Sequence, residues 1–416
     1  MVTKIDLFEV VTCLSDALNL TGVGAGIDWG NMSHGTRVCY ISSRIAEQMH
    51  LDEKTRSDLY YTALLHDCGI STTREFKDII QVDTRGDFSH CRRGYKLLKR
   101  SPYTAKFAKM VLHHHDKWTG PNESGICGDD IPICSRIIFL ADRVDILMRP
   151  REYILHQSDK IIKTINERSV SHFDPNVVGA FNHVALQESF WLDLTSRQTE
   201  ELLRHYWYRP QERVDLDYDQ FENIAEILAQ IVDSKSTFTL QHSRKVAKVA
   251  VELAEMFNFS PFECEKMKIA GLLHDLGKLS IPDEILDKAD KLTVDEYEII
   301  KRHTYFTNLV LDKIMGFETI RQWASLHHER LDGRGYPFHT TEKVFPLGAR
   351  ILAVSDTFTA ISEDRPYRKG YPTEKVCEIL RKCVSGGALD AKIVGCVVEN
   401  IDKFRKLLEA EQPDDD

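Results

Sequence analysis

The chain has 416 residues, which at ~150 residues per domain suggests two or three domains. Apolar residues make up 42% and charged residues 28%, and 54 Lys plus Arg against 64 Asp plus Glu give a net charge of −10. That charge argues against a duplex nucleic-acid binder, which needs a basic surface, but allows a small anionic ligand held by a local cation cluster. The most apolar stretch, Ile133–Leu147, is broken by Arg136, Asp142, Arg143 and Asp145, so no membrane span is expected. The N-terminal MVTKIDLFEVV carries Asp6 and Glu9 and does not read as a signal peptide. Ten cysteines occur without a CxxC pair, the pattern of reduced thiols in a cytoplasmic protein.

In chain order, residues 1–205 form a first domain. Trp207–Asp219 contains a proline and a dense charge run, so 206–218 reads as a linker. Ile224–Val232 then has helical spacing. Val246–Phe257 places Val246, Val249, Ala250, Leu253 and Phe257 on one face, and Ile351–Ile361 reads the same way. Residues 219–408 form the second domain, and the acidic 409–416 is a tail. Strand-like alternation is scarce, so the expected class is all-α.

The unusual count is histidine, at 17. Many of these recur in an internal repeat. His34 and His66-Asp67 precede His242 and His274-Asp275 by 208 residues. His90 precedes His303 by 213, and His113-His114 and Asp142 precede His327-His328 and Asp356 by 214. Val38, Leu64-Leu65 and Pro132 match Val246, Leu272-Leu273 and Pro346. Ordered recurrence of this kind indicates two copies of one helical domain.

Imidazole and carboxylate ligands suit metals such as manganese and iron. The second copy offers five imidazoles (His242, His274, His303, His327 and His328) and two carboxylates (Asp275 and Asp356), enough for two ions. Neighbouring residues on a helix diverge, so His274-Asp275 reaches one centre only at a helix end or turn, and Gly277 fits that. With two oxygens, Asp275 can bridge. A lone histidine is ordinarily structural, and His50, His156, His172, His183, His205 and His339 are read that way.

The sequence HDLGK, then HHERLDGRGYP, SDTFTA and DRPYR, resembles the HD-GYP family of the HD metal-dependent phosphohydrolase superfamily over roughly residues 219–408. The resemblance implies two tandem HD-type helical bundles and hydrolysis of a cyclic dinucleotide at a multinuclear iron or manganese centre. Magnesium, nickel or cobalt are alternatives in purified protein. By resemblance, His242, His274, Asp275 and Asp356 hold one ion, and Asp275, His303, His327 and His328 the other. Phe238 stands where some relatives place a third-metal glutamate, so two ions are expected. An HD copy ahead of an HD-GYP copy is similar to family members that act on 3',3'-cyclic GMP-AMP (cGAMP). The implied substrate is cGAMP, c-di-GMP or both, cleaved to a linear 5'-phosphorylated dinucleotide.

Two bound ions would activate a water and clamp the scissile phosphate. Asp275 and Lys278 are the catalytic candidates, with Lys278 also meeting a phosphate oxygen. Tyr336 in the Gly-Tyr-Pro loop, Arg365 and Arg368 are candidate substrate contacts, since arginine forks match phosphate and guanine acceptors. The first copy has Ile70 in the lysine position and no GYP loop. Its His34, His66, Asp67, His90, His113, His114 and Asp142 form a vestigial or second site. That copy reads as a structural or regulatory partner, as a hydrolase removing the terminal phosphate of the linear product, or as a nucleotide sensor. A cyclic-nucleotide receptor without turnover and a di-iron oxygenase on the same scaffold are the alternatives for the whole chain. A homodimer is one option for the assembly.

Overall fold

A computed structural model describes residues 4–24, 34–70, 72–79, 89–149, 151–196, 202–203, 214–235, 241–364 and 369–409. The described chain is predominantly helical, with only two two-residue strands, Ile5–Asp6 and Asp215–Leu216. It divides into two compact units, Asp6–Val214 and Asp215–Asp416 together with Met1–Ile5. Most of the expected linker, 206–213, the acidic tail from 410, Phe238, Arg365 and Arg368 lie outside the described residues.

In the first unit the helices His34–Gln48, Glu53–Leu65 and Ile133–Leu147 pack together. Val38, Ile41, Leu59, Ala63, Ile137 and Leu140 are buried along them. Asp52 caps Glu53–Leu65, its carboxylate accepting from Thr55 N. Ile133–Leu147 also buries Asp142, Arg143 and Asp145, so three of the four charges that break its apolar pattern lie inside the unit, while Arg136 is half-buried.

In the second unit His242–Met256 packs against Pro261–Leu273 and Leu347–Ser362. Val246, Val249, Ala250 and Leu253 are buried as the spacing predicts. Phe257 lies one residue past the helix and is half-buried. Tyr218–Ser234, Pro261–Leu273 and Val294–Leu311 each begin with a reciprocal capping box, Asp217 with Gln220, Ser260 with Glu263 and Thr293 with Glu296. These boxes fix where each helix starts, and hence which turn faces inward.

Both units share one close approach. Gly277 follows the second HD pair, and a Cβ there would lie 1.9 Å from the carbonyl oxygen of His303. At the matching Gly69 a Cβ would lie 2.0 Å from the carbonyl oxygen of His90. Only glycine lets the HD turn dock on the helix that carries the third histidine.

Candidate metal centres

In the second unit the HD pair sits at a helix end. Pro261–Leu273 stops at His274, and Asp275 opens the short turn Leu276–Ser280. His242 is the first residue of its helix, His303 lies within Val294–Leu311, and Asp356 lies within Leu347–Ser362. His327 and His328 are the second and third residues after Glu318–Ser325.

The ligand atoms form three overlapping groups. They are His242, His274 and Asp356; His274, Asp275 and His327; and His303, His327 and His328. The structure thus brings all seven expected second-copy ligands together. Asp275 Oδ1 stands 3.7 Å from His303 Nε2 and 3.9 Å from His327 Nε2.

Tautomers make the case for cations. His274 Nδ1 pairs with Gly271 O at 2.8 Å, His303 Nδ1 with Ile300 O at 2.7 Å and His327 Nδ1 with Ala324 O at 2.7 Å. A carbonyl accepts, so each Nδ1 carries the hydrogen and each Nε2 presents a lone pair. His303 Nε2 and His327 Nε2 then face each other at 3.3 Å with no hydrogen between them. His274 Nε2 and Asp275 Oδ1 are buried and make no hydrogen bond. Converging lone pairs in a buried place fit divalent cations bound by imidazole and carboxylate.

At His303, His327 and His328 the electrostatics agree. Burial, then the neighbouring imidazoles, pushes His303, His327 and His328 down to about 3, so all three rings are neutral at physiological pH, the form that can bind a cation. Burial also opposes charge on Asp275, but His274 and Lys278 hold it well below the usual carboxylate range. At His242 burial opposes protonation, and hydrogen bonds to Asp356 and Glu363 override it, raising the ring to about 9.

The wall of the centre is a cleft of about 1060 Å³. Lys278, His303, His327, His328, Arg334 and Tyr336 line it. Lys278 Nζ lies 2.5 Å from Asp275 Oδ2 and is partly exposed. The Tyr336 ring sits 5.0 Å from His328. Its loop is anchored by buried Glu329, which accepts from Phe338 N at 2.7 Å and Thr340 N at 3.0 Å. Sequence reading gave no role to Glu329 or to Glu363, whose Oε2 lies 2.9 Å from His242 Nδ1. Glu329 belongs to the HHERLDGRGYP motif itself. Glu363 left no pattern, because its tie depends on where a helix ends.

In the first unit His34, His66 and Asp142 form one group. His90, His114, His115 and Cys91 form another, and Asp67 Oδ1 lies 3.8 Å from His90 and 3.7 Å from His114. The expected His113 is not among them. Its Nδ1 instead pairs with Asp116 Oδ2 at 2.7 Å. Ala105–Leu112 ends so that His114 and His115 are the second and third residues beyond it, as His327 and His328 are beyond Ser325. His114 Nδ1 pairs with Val111 O at 2.6 Å, three residues back, as His327 does with Ala324. The repeat offset at this pair is therefore 213, not 214.

This all-helical arrangement, two units each gathering histidines and aspartates around an HD pair, defines an HD-domain protein. HD domain models match residues 32–147 and 226–393. The chain is 33% identical over 417 residues to 3'3'-cGAMP-specific phosphodiesterase 1 of Vibrio cholerae, spanning 99% of this chain and 95% of that one. It belongs to the family of that enzyme. A cyclic di-GMP phosphodiesterase of Thermotoga maritima is 34% identical over 38% of this chain and 44% of its own. The fold matches the crystal structure of a V. cholerae cyclic GMP-AMP phosphodiesterase, V-cGAP3, with a TM-score of 0.68 and 24% identity across 99% of both chains.

Proposed function

We propose that the second unit hydrolyses one phosphodiester bond of 3',3'-cGAMP, c-di-GMP or both, giving the linear 5'-phosphorylated dinucleotide. The observation that carries this reading is the convergence of five imidazoles and two carboxylates beside a cleft that also holds Lys278 and Tyr336. The identity to a cGAMP-specific relative across nearly the whole chain supports the substrate class. His242, His274, Asp275 and Asp356 would hold one ion, and Asp275, His303, His327 and His328 the other. Iron or manganese suits this donor set, which lacks thiolate.

Bound ions of this kind supply an activated water at neutral pH and relieve charge on the phosphoryl oxygens. The chain's own residues do the rest. Backbone carbonyls lock His274, His303 and His327 with Nε2 facing the centre. Lys278, parked on Asp275, swings its ammonium to a phosphate oxygen as charge builds there. Tyr336 offers a ring face to a base at the cleft wall, and Glu329 holds that loop in place. Arg365 and Arg368 are proposed contacts for the second phosphate or a guanine.

No helix of the described residues is long and apolar enough to cross a membrane. All ten cysteines are free thiols, which accords with a cytoplasmic place. The test is a product assay of purified protein against c-di-GMP, c-di-AMP and both cyclic GMP-AMP isomers, with metal content measured on the same sample. Linearisation of cGAMP or c-di-GMP is the expected result. Turnover of none of the four by metal-loaded protein overturns the reading.

A further inference from the structure

The first unit repeats the scaffold of the second but not its donor set. Cys91 sits next to His90 on Ser89–Leu98, and its Sγ lies 3.5 Å from His90 Nε2, while His114, its Nδ1 tied to Val111 O at 2.6 Å, presents Nε2. His90 Nε2 lies 3.4 Å from His114 Nε2. A tetrahedral zinc ion with bonds of about 2.0–2.1 Å to nitrogen and about 2.3 Å to sulfur needs donors about 3.3–3.6 Å apart. His90, Cys91, His114 and His115 are all buried, and their donor atoms lie within 4.8 Å of one another. In the second unit the residue after the third histidine is Thr304, whose hydroxyl turns back to Lys301 O at 3.0 Å and offers the centre nothing.

The other half of the first site is altered in the opposite sense. Arg143 lays its guanidinium on Asp142, with Nη2 at 2.6 Å and Nε at 3.0 Å from Oδ2. His34, whose Nε2 is 3.3 Å from Asp142 Oδ1, is tied through Nδ1 to Asp145 Oδ2 at 2.7 Å. A fixed cation already balances the carboxylates here. The corresponding residue of the second unit, Thr357, hydrogen-bonds to Ala353 O at 2.8 Å and leaves Asp356 open.

We propose that the first unit binds a single soft divalent ion, zinc by its ligand chemistry, on His90, Cys91, His114 and His115, while Arg143 replaces an ion in the His34–Asp142 half. Thiolate selects zinc over manganese or magnesium, so the two units of one chain would hold different metals. This assignment does not depend on what the second unit hydrolyses.

Full-length protein is stripped of metal and titrated with Co²⁺, a spectroscopic stand-in for zinc. The wild-type chain should develop thiolate-to-cobalt charge-transfer absorption in the near ultraviolet. Cys91→Thr, which installs the second unit's residue, should abolish it, and Cys91→Ser repeats the test with least change in volume. His303→Ala in the second unit should leave the band intact. By mass spectrometry, zinc-loaded Cys91→Thr should hold one ion fewer per chain than wild type. Absence of the band in the wild type, its survival in both Cys91 variants, or unchanged zinc content overturns the proposal. Phosphodiesterase activity on the same samples separates this failure from failure of the second-unit reading.

Discussion

The two units place their HD pairs in the same way and surround them differently. His66 Nδ1 pairs with Ala63 O and His274 Nδ1 with Gly271 O, each at 2.8 Å and three residues back. In both units two Nε2 atoms confront each other across the third histidine, at 3.4 Å for His90–His114 and 3.3 Å for His303–His327. The differences lie one side chain away from this shared frame. Ile70 is buried where Lys278 faces the cleft, Cys91 stands for Thr304, and Arg143 for Thr357. On the proposed function, it is the added lysine, the GYP loop and an uncovered aspartate, rather than the histidine frame, that set the second unit apart.

The sharpest way to break this comparison is to remove the frame from one unit at a time. His274→Ala combined with Asp275→Ala should cut cyclic-dinucleotide linearisation by more than ~100-fold, since even groups that only orient metal ligands are worth about 10–100-fold. The matching pair His66→Ala with Asp67→Ala should leave linearisation within a few-fold of wild type. Both are read by product chromatography, and equal losses would erase the functional distinction between units.

Next in size is Lys278→Ile, which gives the second unit the first unit's residue. It should lower kcat by about 100-fold, the scale of one charge-stabilising donor, with metal content unchanged. A matching loss of metal would mean that Lys278 orients Asp275 rather than meeting substrate. Smaller again is Gly277→Ala, whose Cβ would collide with the His303 carbonyl. Overpacking of this kind costs about 1–3 kcal/mol and should lower the thermal midpoint of the second unit. Gly69→Ala should do the same to the first, and calorimetry would show whether the two units melt separately. Glu329→Gln should be mildest. The amide keeps one acceptor for the Phe338 and Thr340 N–H groups, so KM for the cyclic dinucleotide should rise a few-fold with kcat nearly constant.

Much of the second site was legible in the sequence because its chemistry sits in short, dense motifs. HDLGK and HHERLDGRGYP name adjacent candidate ligands, and the repeat supplies the distant His242, His303 and Asp356, which the fold brings to the same place. The first site was less legible. In the run His113-His114-His115 composition cannot choose a pair, and only the end of Ala105–Leu112 sets the register. Cys91 leaves no trace in a repeat that matches histidine to histidine, because the thiol beside His90 corresponds to Thr304. Arg143 read as a charge interrupting an apolar stretch, whereas burial converts it into a partner for Asp142. The helical class followed from 3.6-residue spacing, but the capping boxes, not that spacing, set the helix starts.

The glycine contact behind each HD pair has a further consequence. Gly69 and Gly277 dock on the carbonyl of a residue whose side chain is itself a candidate ligand, and side chains brace each turn, Thr307 Oγ1 accepting from Gly277 N at 3.0 Å and Arg93 Nε donating to Gly69 O at 2.9 Å. The close approach is the same in both units although the side chains around it differ. A chain that carries its own duplicate in this form keeps one backbone gauge beneath two different displays of side chains.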